Sequence, residues 1–412
     1  MIFTINRTVR PHRSKHRQVR AGARLPTVSL SPTIAHVEKP TAAVETIGVR
    51  EKTSGPIVAG ENNHIVAEVA ARILADLADP QTINRAKDER WKETLWHALD
   101  EAGLPLAWVP EELGGSDASL ADGFAILGVA GRFALAVPLA ETMIAGWLLT
   151  RAGLVAPSGP MTVAPVRPHD RIEVHQDGTL SGTAFAVPFA RSSRHIVVLG
   201  EASNGTAIAL VEIKSCQLSE GQNLAGDPTN VVTFQRVKPL RSGPAPAGFD
   251  RSSLMLMGST IRSVQTAGAL EAMLSLSVAY ANERVAFERP IAKFQAVQQN
   301  LARLAGEVAA ALAAAGSAAD TIAQAGPFDD AVVLEAASAK IRTAEAATEG
   351  SSIAHQVFGA IGFTKEHALH RFTLRALSWR DEFGNESYWA AELGKQIARR
   401  GADEFWPLVA SR

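Results

Sequence analysis

Apolar positions fall into three regimes of spacing along the chain. From Ile65 they recur with a helical period, and Trp91, Leu95 and Leu99 stand four apart on one helix face. The stretch Val109-Pro110-Glu111-Glu112-Leu113-Gly114-Gly115 interrupts this with a proline and a glycine pair, and a further helix pair is predicted to about Gly153. The period then becomes two. Ile172 and Val174 alternate with Arg171, Glu173 and His175, and Asp177-Gly178 signals a tight turn. A continuous apolar run at 196–199, a turn at Asn204-Gly205 and short apolar runs at 206–211 and 231–234 extend the β pattern. None of these segments leaves room for a βαβ crossover, so a small barrel or sandwich is expected and a Rossmann domain is not. After Pro246 the helical period returns, predicting helices over about 251–287, 294–325, 328–358, 364–381 and 386–400. Pro290, Pro327, Gly362 and Gly384-Asn385 punctuate them. Long helices with short connections make an antiparallel bundle.

The fold class read from this pattern is mainly α with a central β domain. Residues 1–62 form a disordered basic tail and linker, 63–157 an N-terminal helical domain, 158–246 a small β-barrel, and 247–412 a C-terminal four-helix bundle. A chain of 412 residues with 46% hydrophobic and 20% charged residues suits a soluble multidomain protein. The single cysteine, Cys216, excludes an internal disulfide and a cysteine-based metal cluster, and fits a reducing compartment. The most apolar window, 124–149, is broken by Arg132, Pro138 and Glu141, so it reads as buried helix and no membrane span is expected.

Charge is uneven. Residues 1–37 hold seven of the 41 basic residues and no acidic one, leaving 34 basic against 42 acidic residues, a net of −8, in the remainder. An acidic body does not suit a nucleic-acid binder. The tail reads as an unstructured extension, an over-extended gene start or an organellar transit peptide. No amphipathic stripe runs through Pro11-His12-Arg13-Ser14-Lys15-His16, which favours the first two. A cytoplasmic location is therefore expected, with the mitochondrial matrix as the alternative. Metal chemistry is not expected: His367 and His370 flank no H-E-x-x-H order, and the other histidines are scattered. No G-x-S-x-G elbow is present for a serine hydrolase.

Two segments carry more specific information. The first is Asn282-Glu283-Arg284-Val285-Ala286-Phe287-Glu288-Arg289-Pro290-Ile291-Ala292-Lys293-Phe294-Gln295, and the second is Gln356-Val357-Phe358-Gly359-Ala360-Ile361-Gly362-Phe363-Thr364. They resemble the R-x-x-F-x-x-P-I…F-Q and Q-x-x-G-G-x-G-F segments of the acyl-CoA dehydrogenase family. The V-P-E-x-x-G-G connector and the helix–barrel–bundle order resemble it too, over roughly residues 64–410. The resemblance implies FAD held at a subunit interface, with Arg284 reaching the pyrophosphate of a neighbouring subunit's cofactor. A guanidinium suits that task because its N–H fork matches phosphate oxygens at any working pH. The alternative for Arg284 is a solvated pair with Glu283 or Glu288. Phe287, Phe294 and Gln295 resemble residues around the adenine end, although Phe287 serves equally well as packing between helices. Gln356, Gly359 and Gly362 complete the group, glycine allowing close backbone approach. Asn385 is assigned to the cofactor by the same resemblance. Glu288 and Ala360 stand where the family usually has glycine.

Dehydrogenation in this family needs a carboxylate to take the α-proton while the β-hydrogen leaves as hydride. Counted from Gly362, the usual glutamate position is Phe383; the family's alternative position, on the first bundle helix, is Gly258. Glu382 sits one residue early and is the candidate base, with a solvated charge run at Arg380-Asp381-Glu382 as its plainer reading. The E-P-x-x-G-S-D-like loop and W-I-T-N-like strand that cradle the flavin ring are missing: Met161-Thr162-Val163-Ala164-Pro165-Val166-Arg167 lies there, and only Gly182-Thr183-Ala184 hints at the strand. The resemblance therefore implies an FAD-dependent acyl-CoA dehydrogenase of lipid metabolism, of the fatty acid β-oxidation type. It would act on an acyl-CoA, pass electrons to an electron-transfer flavoprotein and assemble as a homotetramer or a heterotetramer with a paralogous subunit. The alternatives are a non-catalytic or half-site subunit of a heteromeric dehydrogenase, or a flavin-dependent monooxygenase of the same fold.

Overall fold

A computed structural model describes residues 61–325 and 328–410. The expectation for the basic tail lies outside these residues. Five helices form the N-terminal part: α1 (Glu61–Leu77), α2 (Pro80–Asn84), α3 (Trp91–Glu101), α4 (Leu120–Arg132) and α5 (Leu139–Arg151). α4 starts in a capping box, in which Ser119 and Asp122 satisfy each other's backbone N–H groups. Leu95 and Leu99 of the four-residue stripe are fully buried.

The β domain is one sheet of β1 (Met161–Ala164), β2 (Arg171–Val174), β3 (Leu180–Pro188), β4 (His195–Ala202), β5 (Gly205–Glu212), β6 (Gln217–Ser219), β7 (Thr229–Val237) and β8 (Arg241–Pro244). The path is β6-β7-β3-β2-β4-β5-β8, with β1 also on β4. β4 is the central strand, which explains why residues 196–199 are apolar without alternation. Both β1 and β2 run parallel to β4 without any crossover helix, the β2–β3 hairpin supplying the return.

The C-terminal part holds α6 (Arg251–Glu283), α7 (Gln295–Gln324), α8 (Asp330–Phe358), α9 (Leu369–Asp381), α10 (Glu386–Arg400) and the short α11 (Phe405–Ala410). α4 and α6 cross almost backbone to backbone. A Cβ on Gly131 would stand 2.1 Å from the Gln265 carbonyl oxygen, and one on Gly268 2.2 Å from that of Gly128. This contact ties the N-terminal helices to the bundle.

Two helix limits differ from expectation. α6 stops at Glu283 rather than 287, because residues 285–290 form a small hairpin of β9 (Val285–Ala286) and β10 (Arg289–Pro290). Its turn residues Phe287 and Glu288 both take left-handed φ, 49° and 64°. α9 begins at Leu369, not 364, after a 3₁₀ turn over Gly359–Phe363. Among the described residues, α7 is long and apolar enough to cross a membrane by length and composition. Here its Leu304, Val308, Ala311 and Ala315 edge is buried in the bundle core.

Candidate functional site

Because α6, α7 and α8 alternate in direction, the C-terminus of α6, the N-terminus of α7 and the C-terminus of α8 meet at one end of the bundle. Arg284 caps α6, Gln295 opens α7, and Gln356 lies in the last turn of α8. Tyr280, one turn before Arg284, stacks on Phe358 with ring centroids 4.3 Å apart; His355 stacks on Phe363 at 4.1 Å. The first stack ties the C-terminus of α6 to that of α8, and the second holds the turn after α8 against that helix. Arg284 is exposed and forms no ion pair among the described residues, so neither Glu283 nor Glu288 neutralises it.

The surroundings are open and donor-rich. Phe294 precedes α7 without a side-chain cap, leaving the first N–H groups of a 30-residue helix available to an anion. Phe287 is 90% exposed and meets Phe294 edge-on at 6.2 Å, while the Arg289 guanidinium lies over Phe294 at 4.2 Å. Phe287 is thus not helix-to-helix packing. Gly359 has φ 64° and ψ −145°, a region that side-chain-bearing residues avoid, and a Cβ there would meet nothing within 4 Å. Gly362 differs: it is buried, and a Cβ would lie 2.9 Å from Phe358, so packing requires this glycine. Glu288 keeps the left-handed bend that a glycine adopts freely, at a cost of about 1–2 kcal/mol. An exposed arginine, free helix N–H groups and an open glycine suit the adenosine and pyrophosphate half of an FAD.

The opposite half-site is different. Phe383 is buried with φ 54°, and its ring covers Gly258: a Cβ on that glycine would stand 2.2 Å from ring carbon Cδ1. The two positions where the family resemblance places a base therefore face each other across a phenyl ring. Asn385 caps α10, its Oδ1 accepting the Tyr388 N–H at 2.9 Å, and the Trp389 indole donates to the Phe383 carbonyl at 2.9 Å. Both contacts fix the 383–385 turn.

Glu382 is turned away into a buried ionic cluster and is not part of a solvated charge run. Its carboxylate accepts from Nε of Arg262 at 2.7 Å. Arg262 also donates to Gln265 at 2.5 Å and pairs with buried Glu141. Burial raises the Glu382 carboxyl above its ordinary range, and Arg262 opposes that rise. Lys340, also buried, donates to the Trp379 carbonyl at 2.5 Å; burial pushes its ammonium down to about 7. Sequence reasoning missed Arg262, Glu141 and Lys340. The available signal was that Arg262 is the only charged residue between Ser253 and Leu270.

On the β side, a cleft of about 260 Å³ lies between the β1–β2 loop, the start of α6 and Tyr388. Asp170, Glu201 and Asp250 line it together with Arg171, Arg251 and Pro165. Glu201 is bound by Arg171 and Arg251, and Asp250 caps α6. No tryptophan lies between Trp147 and Trp379, and β3 carries an irregularity between Ala184 and Val187.

Residues 248–397 match the family model for the acyl-CoA dehydrogenase C-terminal domain. Acyl-CoA dehydrogenase IpdE2 of Mycobacterium tuberculosis is 26% identical over 352 residues, covering 84% of this chain and 98% of that protein. The fold superposes on a chain of the ChsE4-ChsE5 complex from Mycobacterium tuberculosis with a TM-score of 0.74, at 23% identity over 84% of this chain and 99% of that one. A variant of the Tcur3481-Tcur3483 steroid ACAD gives 0.71 at 24% identity, over 82% and 98%. Residues 248–397 therefore belong to the acyl-CoA dehydrogenase C-terminal domain family, and the chain as a whole is similar to acyl-CoA dehydrogenases in sequence and fold.

Proposed function

We propose that this chain is the half-site subunit of a heteromeric acyl-CoA dehydrogenase. It lends Arg284, Gln295 and Gln356 to an FAD whose flavin ring and catalytic base belong to a paralogous subunit. The observation that carries this reading is the Phe383 ring seated on Gly258, which fills the place of the base while Glu382 is held by Arg262. A carboxylate bound to a guanidinium and turned from the cleft is a poor acceptor for an α-proton. Bound FAD supplies the hydride acceptor for α,β-dehydrogenation of an acyl-CoA, and an electron-transfer flavoprotein takes the electrons onward. Two of the structures that share the fold are named for pairs of different chains, which supports a mixed assembly. Only 28% of the most apolar window of α7 is buried within one chain, leaving an alanine-rich face for a neighbouring subunit.

Arg284→Ala tests the assignment in the complex purified with its paralogue. Losing one charge-assisted phosphate contact of about 1.5–3 kcal/mol weakens FAD binding roughly ten- to hundredfold. Unchanged flavin retention would remove Arg284 from the site.

A further inference from the structure

A second cavity, of about 300 Å³, lies between the loop joining α2 and α3, the 225–227 turn of the sheet domain and the start of α9. It is far richer in cations than in free carboxylates. Arg375 is 3% exposed and pairs with Asp227 at 2.6 Å, but its Nε is buried without a partner. Arg371, one turn earlier on the same face, has a buried Nε that is likewise unpartnered, and it forms no ion pair among the described residues. Asp227 is thus taken up by Arg375, and both Asp227 and Glu89 act on Arg371 only from a distance. Lys87 and Lys365 line the same space and also form no ion pair there. The other nearby carboxylates are engaged: Asp88 with Arg90 at 2.8 Å and Glu89 with Lys92 at 2.5 Å.

We infer that this cavity is a binding site for a phosphate group, free or carried on a small organic phosphate. A half-buried guanidinium without an ion-pair partner, next to a second whose Nε is unsatisfied, is incompletely neutralised, and a multivalent oxyanion meets these N–H groups and the two lysines at once. The local field agrees. Burial, and next the adjacent Arg375, pull Arg371 down to about 10. His370 is lowered by burial and by Arg371, Arg375 and Lys365, against its own bond to the His367 carbonyl. Trp91 in the wall offers an apolar face to whatever carries the phosphate. Nothing in this inference depends on the half-site reading.

Thermal unfolding of the full chain tests it, comparing sodium chloride, inorganic phosphate and glycerol 3-phosphate at equal ionic strength. Phosphate at ten times its Kd is expected to raise the wild-type Tm by on the order of 2–3 °C over chloride. A larger rise with glycerol 3-phosphate identifies an organic phosphate as the ligand; an equal rise identifies the free ion. Arg371→Met should be at least as stable as wild type in chloride, having lost a half-buried charge without an ion-pair partner, and should lose the phosphate increment. Lys365→Ala, at an exposed position, should reduce the increment without unfolding the chain. No increment in the wild type, or one undiminished in both variants, overturns the assignment.

Discussion

The ring of Phe383 occupies the space that any side chain on Gly258 would need, with 2.2 Å between its Cδ1 and a Cβ built on that glycine. Gly258→Ala should therefore cost about 1–3 kcal/mol, since the ring must shift in a closed pocket. Once Phe383→Ala has removed the ring, the same methyl group should add no further cost. Denaturant unfolding of the two single variants and the double variant measures this coupling. A neutral Gly258→Ala on its own would mean that the ring does not stand over the glycine.

Glu382 is expected to matter for stability and not for turnover. In the mixed complex, Glu382→Gln should keep acyl-CoA oxidation near the wild-type rate with flavin bound. A general base would show a loss of roughly a hundredfold or more, and that result would restore Glu382 to the mechanism. Arg262→Met should cost about 3–5 kcal/mol, because Glu141 and Glu382 would both remain buried without their cation.

Much of this was legible in the chain, for local reasons. The helix ends carrying Arg284, Gln295 and Gln356 are each marked by nearby residues, so their motifs could be read without knowing the packing. The count from Gly362 leads to Phe383, and the family's alternative base position on the first bundle helix leads to Gly258, the two positions that meet in the fold. What could not be read was which side chains meet across long separations. Glu382 and Arg262 lie 120 residues apart, so the sequence offers Glu382 only as a candidate base or as a solvated charge beside Asp381. The β9–β10 hairpin was hidden for a different reason. Its left-handed turn holds Phe287 and Glu288 instead of glycine, and the helical pattern runs on through them.

The Lys340 ammonium, pushed down to about 7 by burial, gives the fold a pH dependence of known sign. Above about pH 7 the folded chain has released this proton, whereas the unfolded chain holds it up to the ordinary lysine value. The unfolded state then binds more protons, and stability from this group rises with pH across the window. Between pH 7 and 9.5 wild type should gain on the order of 2–3 kcal/mol relative to Lys340→Met. Equal pH profiles for the two proteins would show that Lys340 does not titrate there.

The half-site reading rests on a division of labour that can be counted directly. Purified alone, this chain should carry little FAD and oxidise no acyl-CoA, because an interface between two copies has neither a flavin-ring cradle nor a free base. Mixed with a paralogue that has both, it should form an oligomer with fewer flavins than chains and recover turnover. Flavin absorbance per chain, measured alongside acyl-CoA turnover before and after mixing, decides the matter. Recovery only on mixing is the expected result; one tightly bound FAD per chain with brisk turnover in the protein alone would contradict it.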